Sequence, residues 1–88
     1  MTEPQPTPGS VRLPIGWMTV RQYAVDRHLN HGDINRLGLH GKAAMAEMRR
    51  RGISAMPQVW EQATSGQWFW VYVYPAEIVA QAAWQVWA

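Results

Sequence analysis

Cysteine is absent from the 88 residues, which excludes a disulfide framework, a thiolate zinc site and a cysteine nucleophile, and fits a reducing compartment. No apolar run approaches the ~20 residues that cross a bilayer, and no basic stretch leads into an apolar one at the start of the chain. A soluble, cytoplasmic protein without a membrane partner is therefore expected. Nucleophile-plus-base motifs and phosphate-cradling glycine loops are also missing, so the chain reads as non-enzymatic, with no cofactor and no small-molecule substrate. His28, His31 and His40 with Asp33 match no strong metal-ligand spacing, and capping and loop hydrogen bonding are their expected roles. The remaining absence is local: from residue 52 onward there is neither Lys nor Arg.

That last absence gives the modest net charge of +2 a pattern. Up to residue 35, three arginines (Arg12, Arg21, Arg27) balance Glu3, Asp26 and Asp33. Residues 36–51 then carry Arg36, Lys42, Arg49, Arg50 and Arg51 against Glu47 alone, a balance of +4. The rest of the chain holds only Glu61 and Glu77, a balance of −2. An anionic partner met by the middle segment, with the remainder as scaffold or second interface, follows from this polarity. The length suits one small domain, and the six tryptophans, each able to bury on the order of 200 Å², give it an aromatic core.

Residues 1–12 alternate proline with polar side chains and read as a disordered or polyproline-like tail ahead of one domain at 13–88. Leu13 to Met18 supply an extended apolar entry. Thr19 and Gln22 form a T-x-x-Q capping box for a first helix over Val20 to His28. Asp33 caps a very short second helix through Leu37, Gly38 takes a left-handed turn, and a third helix runs from His40 to Arg51 until Gly52 stops it. At about 100° per residue, Ala44, Met45 and Met48 share one side of that helix, while Lys42, Ala46, Arg49 and Arg50 spread over the other. Arg49 to Arg51 also suit the helix dipole whatever the function.

Beyond Ile53 the apolar period becomes two. Strands over Met56 to Gln62 and Gln67 to Tyr74, joined by Ala63-Thr64-Ser65-Gly66, form a hairpin with Trp68, Trp70, Tyr72 and Tyr74 on one face. Pro75 opens a last helix with Glu77 in its first turn and Ile78, Val79, Ala82, Ala83, Val86 and Trp87 along one stripe. Trp84 falls on the opposite side.

Helix, short helix, glycine turn, basic helix, hairpin and helix is the layout of an α+β winged helix-turn-helix domain, in which the third helix enters the major groove of double-stranded DNA. In that reading Lys42, Ala46, Arg49 and Arg50 face the DNA, with Arg36 in the same cationic segment. His40 adds a polar contact at the helix start, and Gly41 lets the helix N-terminus approach a phosphate. Thr19-Val20-Arg21-Gln22-Tyr23, Leu39-His40-Gly41-Lys42-Ala43-Ala44, Arg50-Arg51-Gly52-Ile53 and Tyr74-Pro75-Ala76-Glu77-Ile78 together resemble small winged helix-turn-helix proteins of phages, prophages and plasmids, over about residues 17–80. The resemblance implies sequence-specific DNA binding in transcription control or as a recombination accessory factor of a mobile element, with Lys42 and Arg49 at the contact positions. The wing departs from that pattern by lacking any cation.

Surplus aromatics point to a second surface. The strand Trp68, Trp70, Tyr72, Tyr74 could stack on single-stranded nucleic acid, but such platforms normally carry cations to hold the backbone. Trp84, Trp87, Trp68 and Trp70 are the expected interface of a homodimer meeting through its C-terminal half. The alternative to DNA binding is a non-catalytic interaction module, a phage-type inhibitor or adaptor that meets a host protein through the same aromatic surface.

Overall fold

Thr19 starts the first helix by two bonds at once. Its Oγ1 accepts from the Gln22 N–H at 3.0 Å, capping α1 (Val20–Asp26), and donates to Glu61 Oε2 at 2.5 Å. The capping box closes on one side only, because the Gln22 side chain turns to Asp26. The computed structural model describes residues 15–87, so the expected tail lies outside the described residues. Arg27 caps α1, and His28, at φ 57°, turns the chain away two residues after the helix ends.

The next helix corrects the expectation of two. Asp33 caps it through the Arg36 N–H, as its sequence position suggests, but α2 then runs unbroken over Ile34–Arg50. The described chain therefore has two helices before the hairpin, not three. Gly38 keeps a helical backbone, and a Cβ built there meets nothing within 4 Å. Replacing Gly38 with alanine is expected to stabilise the fold by about 0.5–1 kcal/mol, since only the entropic weakness of glycine in a helix is removed. Urea denaturation checks this, and a destabilised variant would contradict the continuous helix. Gly52 does stop the helix, at φ +72°.

Two small antiparallel sheets complete the α+β fold. β2 (Gln58–Gln62) and β3 (Trp68–Tyr72) form the hairpin, with Gly66 at φ +92° in its turn. The expected second strand is shorter than the sequence suggests: Val73 is fully buried, and Tyr74 passes to β4 (Tyr74–Pro75), which pairs with β1 (Trp17–Met18). α3 (Ala76–Ala83) follows, with Glu77 in its first turn.

The core lies where α2 meets α3. Met48, Ile78 and Val79 are fully buried there with Ala44 and Ala82, and Trp17, Tyr23 and Met45 pack around them. Each such large apolar side chain contributes about 1.5–3 kcal/mol by leaving water. Of the stripe expected on the last helix, Ile78, Val79, Ala82 and Ala83 are buried, while Val86 and Trp87 lie past its end and are half-buried; Trp84 stands out at 79% exposure.

Candidate nucleic-acid interface

Position along α2 sorts the expected contact residues. Lys42, Ala46 and Arg49 are exposed and occur at i, i+4 and i+7, which places them within about 60° of one another on the helix and spreads the two cations over about 10 Å of axis. Among the described residues neither cation makes a salt bridge. A groove of about 430 Å³ runs beside them, lined also by Met45, Tyr72 and Tyr74. The hairpin thus flanks the cationic stripe through Tyr72.

Arg50 and Arg51 are held differently. Arg50 donates through Nε to Glu47 Oε2 at 2.9 Å and also bonds its second oxygen, while Arg51 donates to Glu47 Oε1, Glu77 Oε1 and Gln81 Oε1. These bonds hold the Glu47 carboxyl down to about pKa 2 and push both guanidinium groups up. Arg51 is a brace between α2 and α3, and Arg50 is engaged at the rim of the stripe.

Three expected contacts are placed elsewhere. His40 is fully buried: its Nε2–H donates to the Val79 carbonyl at 2.8 Å and its Nδ1 accepts from the Trp87 indole N–H at 3.0 Å. It cannot reach a base edge, and burial lowers its pKa. Gly41 sits two turns inside α2 rather than at a helix start, so its N–H is not free for phosphate, and its carbonyl accepts from the Tyr74 hydroxyl at 3.4 Å. Arg36 pairs with Asp33 at 3.7 Å and lies over the Trp87 ring at 5.7 Å, about 120° or more around the helix from Lys42 and Arg49.

The four interface tryptophans also divide. Trp87 is half-buried and bonded into the His40 junction, so it belongs to the core. Trp68 is half-buried and stacks on Trp60 with ring centroids 6.4 Å apart. Trp70 pairs across the strands with Trp60 at 5.2 Å and remains 48% exposed. An isolated two-stranded hairpin is marginal in water, and this tryptophan trio holds it on one face. On the other face Glu61 bonds Thr19 and pairs with Arg21 at 3.6 Å, while Arg21 also donates to Thr64 at 3.1 Å. Burial raises the Glu61 pKa against the opposing pull of Thr19 and Arg21.

Sequence reasoning missed this tether, since Thr19 and Glu61 are 42 residues apart. It also missed a cleft of about 720 Å³ between α2 and the hairpin, walled by Leu37, Gly38 and Gly41 on one side and Phe69, Val71 and Tyr72 on the other. Among the described residues no group of three or more His, Asp and Glu could hold a metal ion, and no described helix is long and apolar enough to cross a membrane. No protein-family model, curated protein or solved structure matches the chain.

Proposed function

We propose that the chain is a winged helix-turn-helix protein that binds double-stranded DNA, with α2 as the reading helix and the β2–β3 hairpin as its wing. The observation that carries this reading is the stripe Lys42, Ala46, Arg49: two cations without an ion pair among the described residues, on either side of a methyl group, on the exposed face of a helix. Small residues between cations let a helix lie close to base edges while its ends reach phosphate. The hairpin has no cation, so it shapes the groove through Tyr72 without gripping phosphate. Sequence-specific control of a mobile element is the role this reading fits.

Gel-shift titration of mixed duplex DNA at two salt concentrations tests it. Lys42→Ala and Arg49→Ala are each expected to weaken binding about five- to eightfold near 0.1 M salt and to reduce the salt slope by about one. Both residues are exposed, so far-UV circular dichroism and melting temperature stay unchanged. Equal retention of the wild type and both variants at low salt would refute the assignment.

The second reading is a non-catalytic adaptor or inhibitor. It is favoured by the exposure of Phe69, Trp70 and Tyr72, 44%, 48% and 40% respectively, on a strand without charge. Failure of all three proteins to shift DNA would leave this reading in place.

A further inference from the structure

Among the described residues the hairpin leaves one strand edge open, and its hydrogen-bond phase can be worked out. The Ala63 N–H donates to the Gln67 carbonyl at 2.8 Å, and the Val73 N–H donates to the Pro57 carbonyl at 3.1 Å. Val59↔Val71 and Glu61↔Phe69 lie between these and are the bonded pairs of the ladder, alternating with Gln58↔Tyr72, Trp60↔Trp70 and Gln62↔Trp68. The backbone N–H and C=O groups of Trp68, Trp70 and Tyr72 therefore point away from β2, and among the described residues they have no ladder partner.

The two edges of the hairpin differ in protection. β2 follows Pro57 and carries Glu61, which is tied to Thr19 and Arg21. β3 has no proline and lies in a stretch from Gln62 to Ala76 without one charged side chain. Charge, proline and bulges are the usual guards of a free edge. The cleft beside α2 reaches β3 along this edge, since Phe69 and Val71 from one face and Trp70 and Tyr72 from the other all line it. Across the cleft, Gly38 and Gly41 present no side chain.

We propose that β3 is a self-association edge: it pairs antiparallel with β3 of a second copy about a two-fold axis at Trp70, making a continuous four-stranded sheet. The outward groups at Trp68, Trp70 and Tyr72 are symmetric about Trp70. A two-fold axis there sets Trp70 against its own equivalent and Trp68 against the equivalent of Tyr72, so donors meet acceptors in about six bonds. An isologous contact sets each charge near a copy of itself, and this strand has none to repel. The same pairing places the exposed aromatic side chains of the two copies side by side on each face. The inference does not rest on the DNA reading: Lys42 and Arg49 lie outside the pairing edge, and Tyr72 is the residue shared by that edge and the groove beside the two cations.

Sedimentation velocity across a hundredfold concentration range, with residue-resolved amide exchange at both ends, tests it. The expected result is a reversible dimer in which the Trp70 and Tyr72 N–H groups exchange at least tenfold more slowly at high concentration, while Phe69 and Val71 are protected at both. Trp68→Lys, which adds charge at the edge and leaves the Trp60 and Trp70 pair in place, is expected to weaken the dimer at least tenfold. Trp84→Lys, Lys42→Ala and Arg49→Ala are expected to leave it unchanged. A monomer throughout, a dimer with the Trp70 N–H still in fast exchange, or a dimer lost on Trp84→Lys would overturn the proposal. Should Trp68→Lys lose the near-ultraviolet signal of the tryptophan pair, the exchange pattern of the wild type decides alone.

Discussion

His40→Ala is expected to lower folding stability by about 3 kcal/mol, and the melting temperature by roughly 12–24 °C for a domain of this size. Three losses combine. The ring is fully buried between α2 and α3, so its removal leaves a cavity. The Val79 carbonyl loses its donor and the Trp87 indole N–H loses its acceptor. Tyr23, whose ring meets the imidazole edge-on at 5.5 Å, loses a packing partner from α1. Three helices thus converge on one side chain. A melting temperature within about 3 °C of wild type would show that the junction does not depend on it.

The same geometry sets a pH dependence. Nε2–H donates and Nδ1 accepts, which selects one neutral tautomer, and a proton added to Nδ1 would face the indole N–H. Burial is the main cause that puts the folded pKa below the ordinary histidine value of 6.5, partly offset by the bond to Val79. A lowered pKa means the unfolded chain binds the proton first, so this contribution is complete above pH 6.5 and is lost as pH falls from there towards the folded value. Glu61 acts in the opposite sense, since its raised pKa favours the protonated fold, and Glu47 titrates far lower, near 2. Comparison with His40→Gln, which keeps a donor and an acceptor but does not titrate, isolates the effect. Wild-type stability is expected to fall more steeply than that of the variant between pH 6.5 and 5, and parallel curves would rule the assignment out.

His40 also shows where sequence reading succeeds and where it stops. The stop at Gly52, the hairpin around Gly66, the cap at Asp33 and the buried stripe of α3 were all legible, because each depends on neighbours within a few residues. The break at Gly38 was not real. Glycine weakens a helix by about 1 kcal/mol, and packing of Leu37, Ala44 and Met48 against the rest of the fold exceeds that. With the helix continuous from Ile34, His40 falls on the same side as those three residues, at i+3 from Leu37 and i+4 before Ala44. Its burial could have been read from that phase once the break was removed. Its partners could not, since Val79 is 39 residues away and Trp87 is 47.

The cationic segment was legible as charge and not as availability. Five cations against one carboxylate reads as a uniform patch, yet Glu47 lies one turn before Arg50 and Arg51 and takes bonds from both. Spacing of three and four residues contained that signal. The pairing of β1 with β4 had none, because two residues in each strand carry no periodicity and meet only when the chain has closed. Likewise, the brace from Arg51 to Glu77 and Gln81 depends on α3 lying beside α2.

Glu47→Gln is the substitution in which that distinction is expected to strengthen binding. The amide keeps one acceptor oxygen but no charge, so Arg50 loses its ion pair and the net charge rises from +2 to +3. Arg51 keeps Glu77 and Gln81, which holds α2 to α3 and leaves the fold in place. Arg50 lies about 80° around the helix from Lys42, next to the Lys42–Arg49 stripe, where, on the proposed DNA reading, its guanidinium would reach the phosphate beside the one assigned to Arg49. One added phosphate contact and one carboxylate fewer are expected to tighten duplex DNA about tenfold near 0.1 M salt and to steepen the salt slope by about one. Because the Glu47 pKa is held near 2, the gain is constant from pH 5 to 8. Unchanged affinity and slope would confine phosphate contact to Lys42 and Arg49. Weaker binding would mean that the Glu47 to Arg50 pair itself orders the surface the DNA meets, and that the cations of α2 act through their placement more than through their number.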